Sequence, residues 1–226
     1  MEVTVVQKTS SRITGAGSAN NALAFASNNT TGNMLVVAVS CGASNTLLAP
    51  TDTQGNNYQL AVTKSAGGAF STAAIYYVSS CKGGANTVIS HLGVDGNNHL
   101  HIYEISGVNY VDAFGSIIQT GTALTVTAGT ADTNAAEYVF GFFASNNGQA
   151  SMTVGAGYGD TQSQLTGDTS FSEDKTVAAI GTQTATATAA GSDTFVNLIA
   201  TFSAIPGSGS WLQAFRNQWN KRGQRG

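Results

Sequence analysis

The stretch Asn33-Met34-Leu35-Val36-Val37-Ala38-Val39-Ser40-Cys41 indicates the fold class of this chain. It is short, apolar and rich in β-branched valine, which is the pattern of a β-strand. Similar runs recur between Gly- and Asn-containing turns, at residues 58–64, 73–79, 86–91, 99–105, 137–145, 176–180 and 194–202. About a dozen short strands at roughly ten-residue spacing predict a single antiparallel, jelly-roll-like β-sandwich rather than a βαβ fold.

The composition agrees with an all-β domain. Of the 226 residues, 9% are charged and 42% are hydrophobic, and the mean hydropathy is +0.01. A disordered chain would combine low hydrophobicity with high net charge, and a long-helix protein would be rich in Ala, Glu, Lys, Leu and Arg. No apolar run approaches the roughly 18 residues of a membrane span. The composition therefore argues against disorder, long helices and a membrane partner.

Two Thr/Ala-rich stretches, residues 120–133 and 182–190, predict extended strands with almost no charged side chains. Free strand edges are normally protected by charged residues, lysine above all, because an exposed edge pairs with other strands. We therefore expect these edges to be covered, either within the fold or by neighbouring subunits.

The N-terminal segment and the cysteines bear on the cellular compartment. Residues 1–8 alternate as a strand does and lack the basic and apolar regions of a secretory signal, so we expect either no export by that route or a signal already removed. Cys41 and Cys81 do not form a CxxC motif and are too few for a metal site of their own. We expect two buried free thiols, with one disulfide between neighbouring strands as the alternative.

The C-terminus differs in character from the rest of the chain. Residues 206–210 form a Gly/Ser linker by composition, so we divide the chain into a β-sandwich (1–205), this linker, and an aromatic and basic tail (211–226). Trp211, Phe215 and Trp219 follow an i, i+4, i+8 spacing, which predicts a short helix with one aromatic face. The last eleven residues hold four of the nine basic groups and no acidic one, which leaves five basic and twelve acidic groups in residues 1–215.

Two interpretations of this tail remain open. In the first it is a docking arm that places aromatic anchors in a groove on another subunit and its basic end against an acidic or phosphate surface. The predicted binding residues are then Trp211, Leu212, Phe215, Arg216, Trp219, Lys221, Arg222 and Arg225. In the second, the helix folds back and buries its rings on its own sandwich. Four basic groups are too few to predict a specific nucleic-acid site or a membrane-surface helix.

The sequence contains none of the common catalytic motifs, such as HExxH, GxxxxGK[ST], GxSxG or an EF-hand loop. Two carboxylates about 5–10 Å apart would be needed for glycoside hydrolysis. The carboxylates are scattered, and no spacing indicates such a pair; those considered include Glu104, Asp112, Asp132, Glu137, Asp160, Asp168, Glu173 and Asp174. We therefore expect a protein that is not an enzyme and carries no cofactor.

Three histidines are weak candidates for a metal site. His99 and His101 are two residues apart, so on a strand they share a face, and His91 from the preceding strand could join them. No cysteine or carboxylate stands at a matching spacing, so we predict instead that His99 and His101 face solvent and that no metal is bound. Asp52 and Asp95 lie in Asn- and Gly-containing loops that could offer oxygens to calcium, but turn formation explains the same residues.

Five motifs in a fixed order carry a resemblance to a known family. They are GNMLVVAVS (32–40), DTQGNNYQLAV (52–62), IYY (75–77), KGGANTV (82–88) and YEISGV (103–108). Over about residues 20–203 the chain resembles a jelly-roll-like β-sandwich module of environmental bacterial surface proteins and tailed-phage virion proteins. The resemblance implies a sandwich fold and a surface or virion setting, and it brings no catalytic residues. The chain departs from it at Cys41, where an aromatic residue is common, and in its tail.

These features predict a structural protein of a phage-like virion, a capsid, decoration or tail component. It would assemble as a homo-oligomer or with other virion proteins, and closed symmetry is the default for self-contacts. The alternative is an extracellular or cell-surface adhesion module whose polar loops and tyrosines bind glycans. The tyrosines concerned are Tyr58, Tyr76, Tyr77, Tyr103, Tyr110 and Tyr158. A secreted hydrolase is a third and weaker hypothesis.

Overall fold

A computed structural model of the chain describes residues 2–42, 45–67, 71–128, 137–159, 162–178 and 181–204. These residues form fourteen strands and no helix, so the all-β prediction is confirmed, and none of them forms a helix long and apolar enough to cross a membrane. The predicted linker and tail, 206–226, lie outside the described residues. The strands are β1 (Thr4–Ile13), β2 (Asn20–Ala24), β3 (Met34–Cys41), β4 (Leu47–Asp52), β5 (Gln59–Ser65), β6 (Thr72–Val78), β7 (Thr87–Leu92), β8 (Asn98–Ser106), β9 (Val108–Thr127), β10 (Glu137–Ser145), β11 (Met152–Val154), β12 (Gln162–Gln164), β13 (Thr169–Val177) and β14 (Thr184–Ala204).

The strands pair into three antiparallel sheets. A five-stranded sheet has the order β1-β8-β3-β6-β5, and a three-stranded sheet has the order β2-β7-β4. A six-stranded sheet has the order β11-β14-β10-β13-β12, with β9 also paired to β14. The first eight strands therefore build two sheets, and the last six build the third.

The five-stranded sheet lies between the other two, which explains the apolar run at residues 33–41. On β3, Val36 and Ala38 pack with Phe140 of the six-stranded sheet. Val37, on the opposite face, packs with Val88 of the three-stranded sheet. A strand covered on both faces reads as continuously apolar rather than alternating, which is why this run shows no polar face.

The β9–β14 ribbon covers the outer face of the six-stranded sheet. The pairing of β9 with β14 is interrupted between Thr188 and Asp193 of β14. Beyond this interruption the end of the ribbon folds back, so that Leu124 and Ala187 pack against Val139 of β10. β10 is therefore buried on both faces, as β3 is.

Two glycines allow the folded ribbon to approach the sheet closely, and one glutamate holds it there through hydrogen bonds. A Cβ at Gly115 would overlap the carbonyl oxygen of Thr127, and one at Gly141 would lie 2.7 Å from the Cβ of Ala185. The buried Glu173 carboxylate accepts hydrogen bonds from the backbone N–H groups of Gly155 (2.8 Å) and Thr186 (3.0 Å). Burial raises the pKa of Glu173 to about 7, although these two hydrogen bonds act in the opposite direction.

Several local predictions can be compared with these strands. Within the 182–190 stretch, residues 184–188 pair with β9 and residues 187–189 pair with β11. This stretch is therefore covered by strands of its own chain, which is the first of the two kinds of cover expected from the sequence. The run 176–180 was expected as a strand, but β13 begins at Thr169 and ends at Val177. That strand is mostly polar, so the apolar pattern does not reveal where it begins.

The two cysteines are buried and free, which confirms the thiol prediction. Cys41 ends β3, and Cys81 follows β6 and donates its S–H to the carbonyl oxygen of Thr30 at 3.3 Å. Burial is the main cause that raises the pKa of Cys41 to about 12 and that of Cys81 to about 11. Both groups are therefore protonated and inert as nucleophiles at neutral pH.

Candidate functional site

The predicted metal candidates are not where the sequence placed them. His99 and His101 share a face of β8 as expected, but they are buried, so the solvent-facing prediction is wrong. His91 lies on β7 of the three-stranded sheet, where its ring nitrogens contact Thr51 (2.8 Å) and Asn20 (2.6 Å). Among the described residues, no three His, Cys, Asp or Glu side chains are grouped so as to hold a metal ion.

The two buried histidines belong to a ladder of hydrogen bonds between β8 and β13. Ser170 Oγ lies 2.8 Å from His99 Nδ1 and 2.8 Å from His101 Nε2. Ser172 Oγ lies 2.9 Å from His101 Nδ1 and 2.8 Å from the Tyr103 hydroxyl. We call these five residues the histidine–serine ladder. Because β8 and β13 belong to different sheets, the ladder holds the five- and six-stranded sheets together.

Burial keeps the two rings of the ladder neutral. It lowers the pKa of His99 to about 3, with a further contribution from the positive charge of Arg12. It lowers the pKa of His101 to about 3 as well, with a smaller effect from His99. A neutral imidazole has one donor and one acceptor nitrogen, which matches the hydroxyl groups that alternate with the rings.

Charged side chains lie at both ends of the ladder. At one end, Asp168 Oδ2 is 4.0 Å from His99 Nε2, and neither atom has a hydrogen-bond partner among the described residues. Burial raises the pKa of Asp168, and the charge of Arg12 opposes that rise. At the other end, Lys8 lies over the Tyr103 ring and forms a 3.2 Å ion pair with Asp174.

The contacts Asp168–His99–Ser170 have the order of a catalytic triad, but their setting is wrong for hydrolysis. A nucleophilic serine must be reached by its substrate. Ser170 is fully buried, and its hydroxyl is shared between two histidines. The ladder therefore acts as a buried polar contact between the two sheets, in which both nitrogens of His101 are hydrogen-bonded to serine hydroxyls.

The family-like motifs supply a second kind of buried polar group, a carboxylate surrounded by donors. Glu104 of the YEISGV motif accepts hydrogen bonds from Gln7 (2.6 Å), Asn29 (2.8 Å), Asn33 (2.6 Å) and the N–H of Thr30 (2.8 Å). Burial alone would raise the pKa of Glu104, but these donors outweigh it and lower that pKa. Glu104 thereby ties β1 and the loop before β3 to β8.

Asp52 of the DTQGNNYQLAV motif has the same function at the β4–β5 connection. Its carboxylate accepts hydrogen bonds from both nitrogens of Asn56 (2.9 and 2.7 Å), the Tyr58 hydroxyl (2.9 Å) and Asn86 (3.0 Å). Burial opposes ionisation, yet these bonds lower the pKa of Asp52. Asp52 and its hydrogen-bond donors therefore stabilise the β4–β5 connection, and both oxygens of Asp52 already accept hydrogen bonds there.

Asp95, the other calcium candidate, also serves a loop. Its two oxygens accept hydrogen bonds from the backbone N–H groups of Gly17 (2.9 Å) and Ala19 (2.8 Å). These two bonds lower the pKa of Asp95. The loop before β2 and the β7–β8 turn are joined in this way, as the turn interpretation requires.

One carboxyl pair was missed by sequence reasoning. Asp112 of β9 and Glu137 of β10 contact each other across the end of the six-stranded sheet. Burial, followed by the hydrogen bond and the charge of Asp112, raises the pKa of Glu137 to about 8. The two residues are far apart in sequence, and only the long β9–β14 ribbon brings them together. Asp132 and Asp160 lie outside the described residues.

The tyrosines do not form the sugar-binding surface that the glycan alternative needs. Tyr58, Tyr76 and Tyr103 are buried, and Tyr77 and Tyr158 are half-buried. Tyr110 is the exposed member of the set. A groove of about 380 Å³ between β9, β11 and β14 is lined by small and apolar residues such as Thr125, Val154 and Thr188, with no aromatic or charged side chain.

The exposed surface with the clearest capacity for interaction is the outer edge of β9. Four large apolar side chains of β9 are exposed, Tyr110 (44%) and Ile117 (44%) on one face of the strand and Phe114 (55%) and Ile118 (39%) on the other, and we call these four residues the β9 edge patch. In the described structure β9 pairs with β14 alone, so its other edge carries unpaired backbone groups. β9 contains no Lys or Arg, and its one charged residue is Asp112. Such an edge lacks the usual protection against pairing with another strand.

The predicted docking residues of the tail, from Trp211 to Arg225, all lie outside the described residues. β14 ends at Ala204, which pairs with Val108 at the start of β9. The described part of the chain therefore ends beside the first residue of β9. No family model, no curated protein and no solved structure matches the chain.

Proposed function

We propose that this protein is a non-enzymatic structural protein that assembles with copies of itself through the free edge of β9. The observation that carries the proposal is a combination of three features on one strand of 20 residues: an edge that pairs with no strand among the described residues, four exposed apolar side chains, and no basic residue. An isolated exposed apolar residue is ordinary, but several of them on both faces of an open edge strand favour addition of a further strand.

The edge contact has a definite symmetry. β9 pairing antiparallel with the β9 of a second copy buries the same patch on both subunits, which is a two-fold contact and gives a dimer. β5, an edge strand of the five-stranded sheet, contacts β9, so a strand added to β9 would lie close to the five-stranded sheet as well. Growth beyond a dimer needs a second contact, and we assign that contact to the tail, residues 211–226.

We place this assembly in a phage-like virion, as a capsid, decoration or tail component built on a jelly-roll sandwich. The order of β1–β8 supports the jelly-roll part. In an eight-stranded jelly roll the sheets have the orders 1-8-3-6 and 2-7-4-5. The first eight strands here have the orders 1-8-3-6 and 2-7-4, with β5 attached beside β6 instead. The virion setting rests on the family resemblance and on the tail.

Light scattering on the purified full chain tests the proposal. We expect a dimer or larger species for the unmodified chain and a lower mass for Ile117→Lys, because a charge in the patch opposes edge pairing. The matched control is Val94→Lys, an exposed apolar residue in the turn between β7 and β8, which should leave the mass unchanged. Deleting residues 206–226 should reduce larger species to dimers.

Two outcomes would contradict the proposal. The first is a strict monomer at the highest concentration that the protein tolerates. The second is an equal loss of mass in Ile117→Lys and Val94→Lys. Of the tyrosines named for the glycan-binding alternative, Tyr110 is the exposed one, and binding on a glycan array that is lost in Tyr110→Ala would favour that alternative.

A further inference from the structure

Three strands of the six-stranded sheet bring polar groups together at the end nearest the start of β10. Glu137 is the first residue of β10, and it lies directly opposite Ser203 of β14. Ser203 in turn lies opposite Tyr110 of β9. The β9–β14 register shifts between Thr201 and Phe202, whose partners are Ala113 and Val111, so Asp112 is the extra residue of a β-bulge. Bulges of this kind re-aim a side chain.

The side chains at this position share one face of the sheet. Directly opposite residues of antiparallel strands carry their side chains on the same face, so the Ser203 and Glu137 side chains are neighbours on that face. The Asp112 carboxyl group reaches Glu137 across the strand that carries Ser203. Two carboxyl groups and one hydroxyl therefore converge above β14.

Two of these groups are buried with unused hydrogen-bonding capacity. Glu137 is 2% exposed and Ser203 is 1% exposed. Among the described residues, neither Glu137 Oε2 nor Ser203 Oγ has a hydrogen-bond partner. Buried polar atoms normally have a hydrogen-bond partner, a water or an ion, because leaving them unsatisfied is unfavourable.

We propose that Asp112, Glu137 and Ser203 bind a divalent cation of the hard, oxygen-preferring class, Ca²⁺ in the first instance. Carboxylate and neutral oxygens are the ligands that this class prefers, and a divalent cation offsets the repulsion between two adjacent carboxylates. Asp112 is half-buried, so water can reach the cation from its side and complete the coordination shell. Glu137 and Ser203 each have an oxygen without a hydrogen-bond partner among the described residues. The carboxylates of Asp52 and Asp95, by contrast, already accept hydrogen bonds from loop residues.

The cation would join β9, β14 and β10 at one point, close to the β9 edge patch. This inference is independent of the proposed assembly, because the ligands all come from one chain and are present in a monomer.

Isothermal titration of the full chain with CaCl₂, after removal of metal with EDTA, tests the site. We expect one bound ion per chain and a higher melting temperature in its presence. Tb³⁺ should give luminescence sensitised by Tyr110, the residue opposite Ser203, and Ca²⁺ should displace it. Asp112→Asn and Glu137→Gln should each weaken Ca²⁺ binding at least tenfold.

The matched control is Glu173→Gln, which makes the same change at a buried carboxylate whose two oxygens are already hydrogen-bonded to backbone N–H groups. It should bind Ca²⁺ as the unmodified chain does. Circular dichroism establishes that each variant is folded, and Asp112→Asn decides the matter if Glu137→Gln does not fold. The proposal is overturned if the unmodified chain binds no Ca²⁺, or if the ion binds equally well to Asp112→Asn.

Discussion

Replacing His101 with glutamine should change the pH dependence of folding in a way that isolates one buried ring. His101 is fully buried, contacts Ser170 and Ser172 through its two nitrogens, and lies edge-on to Phe142 at 5.2 Å. Its pKa falls from the usual 6.5 to about 3 on folding. The unfolded chain therefore takes up a proton at this ring as the pH falls through 6.5, while the folded chain does not.

The size of the effect follows from these two values. Stability contributed by a histidine with a lowered pKa is complete above 6.5 and is lost as the pH falls towards 3. Between about pH 7.5 and about pH 5, the loss for His101 amounts to about 2 kcal/mol of the free energy of unfolding. His101→Gln has no such proton to take up. Its destabilisation relative to the unmodified chain should therefore be about 2 kcal/mol smaller at the lower pH.

Urea denaturation followed by circular dichroism at both pH values measures this difference. The comparison between chains is needed because Glu173, whose pKa rises to about 7 on folding, contributes stability with the opposite sign in the same range. Ser90→Ala, a change at a buried residue outside the ladder that removes no titratable group, is the control, and its destabilisation should be the same at both pH values. If the destabilisation by His101→Gln is the same at both pH values, the ladder does not hold its rings neutral and the reasoning fails.

Three further predictions concern other buried contacts. Gly115→Ala should lower the free energy of unfolding by about 1–3 kcal/mol, because the new Cβ overlaps the Thr127 carbonyl oxygen. The control is Gly159→Ala, where the nearest atom to the new Cβ is 3.6 Å away. Equal losses of stability in urea denaturation would refute the close approach at Gly115. Glu104→Gln should destabilise the fold by about 3 kcal/mol or more, because an amide group cannot accept the four hydrogen bonds that the carboxylate accepts. A loss under about 1 kcal/mol in the same assay would contradict this. Cys41 and Cys81 should react with Ellman's reagent only after denaturation, because both thiols are buried and their pKa values are raised, and rapid labelling of the native protein would show otherwise.

The strands that are apolar were predictable from the sequence, and the reason is their burial on both faces. The run at residues 137–145 matches β10 in full, and the run at 33–41 matches β3 but for its first residue. The apolar pattern does not say which sheets cover β3 and β10, because that depends on pairings between strands distant in sequence. The folded ribbon of β9 and β14 is the clearest case, because its return onto the sheet depends on glycines at positions 115 and 141 rather than on any apolar signal.

The histidines show why polar residues are harder to place. Their spacing correctly put His99 and His101 on one face of a strand, but an alternating polar and apolar strand normally has its polar face in water. Here β13 supplies Ser170 and Ser172 at the same two-residue spacing, and these hydroxyls make burial of the rings possible. Nothing in one sequence pairs the two segments, so the inward orientation could not be inferred.

The edges of the sheets were judged by composition alone, and composition identified only part of the surface. In the Thr/Ala stretch at 182–190, residues 184–188 are covered by β9 and residues 187–189 by β11. Four of the exposed large apolar residues lie earlier, at positions 110–118 of β9, where the run resembles an ordinary half-buried strand. An edge becomes visible only when strand order is known.

Amide hydrogen exchange across residues 112–120 tests the central claim, that the free edge of β9 pairs with another copy, more directly than any measurement of mass. Exchange should be slower in the unmodified chain than in Ile117→Lys at the same high concentration, because edge pairing places the outward N–H groups in new hydrogen bonds. Dilution of the unmodified chain should remove the difference. Equal exchange in the two proteins at high concentration would contradict assembly through β9.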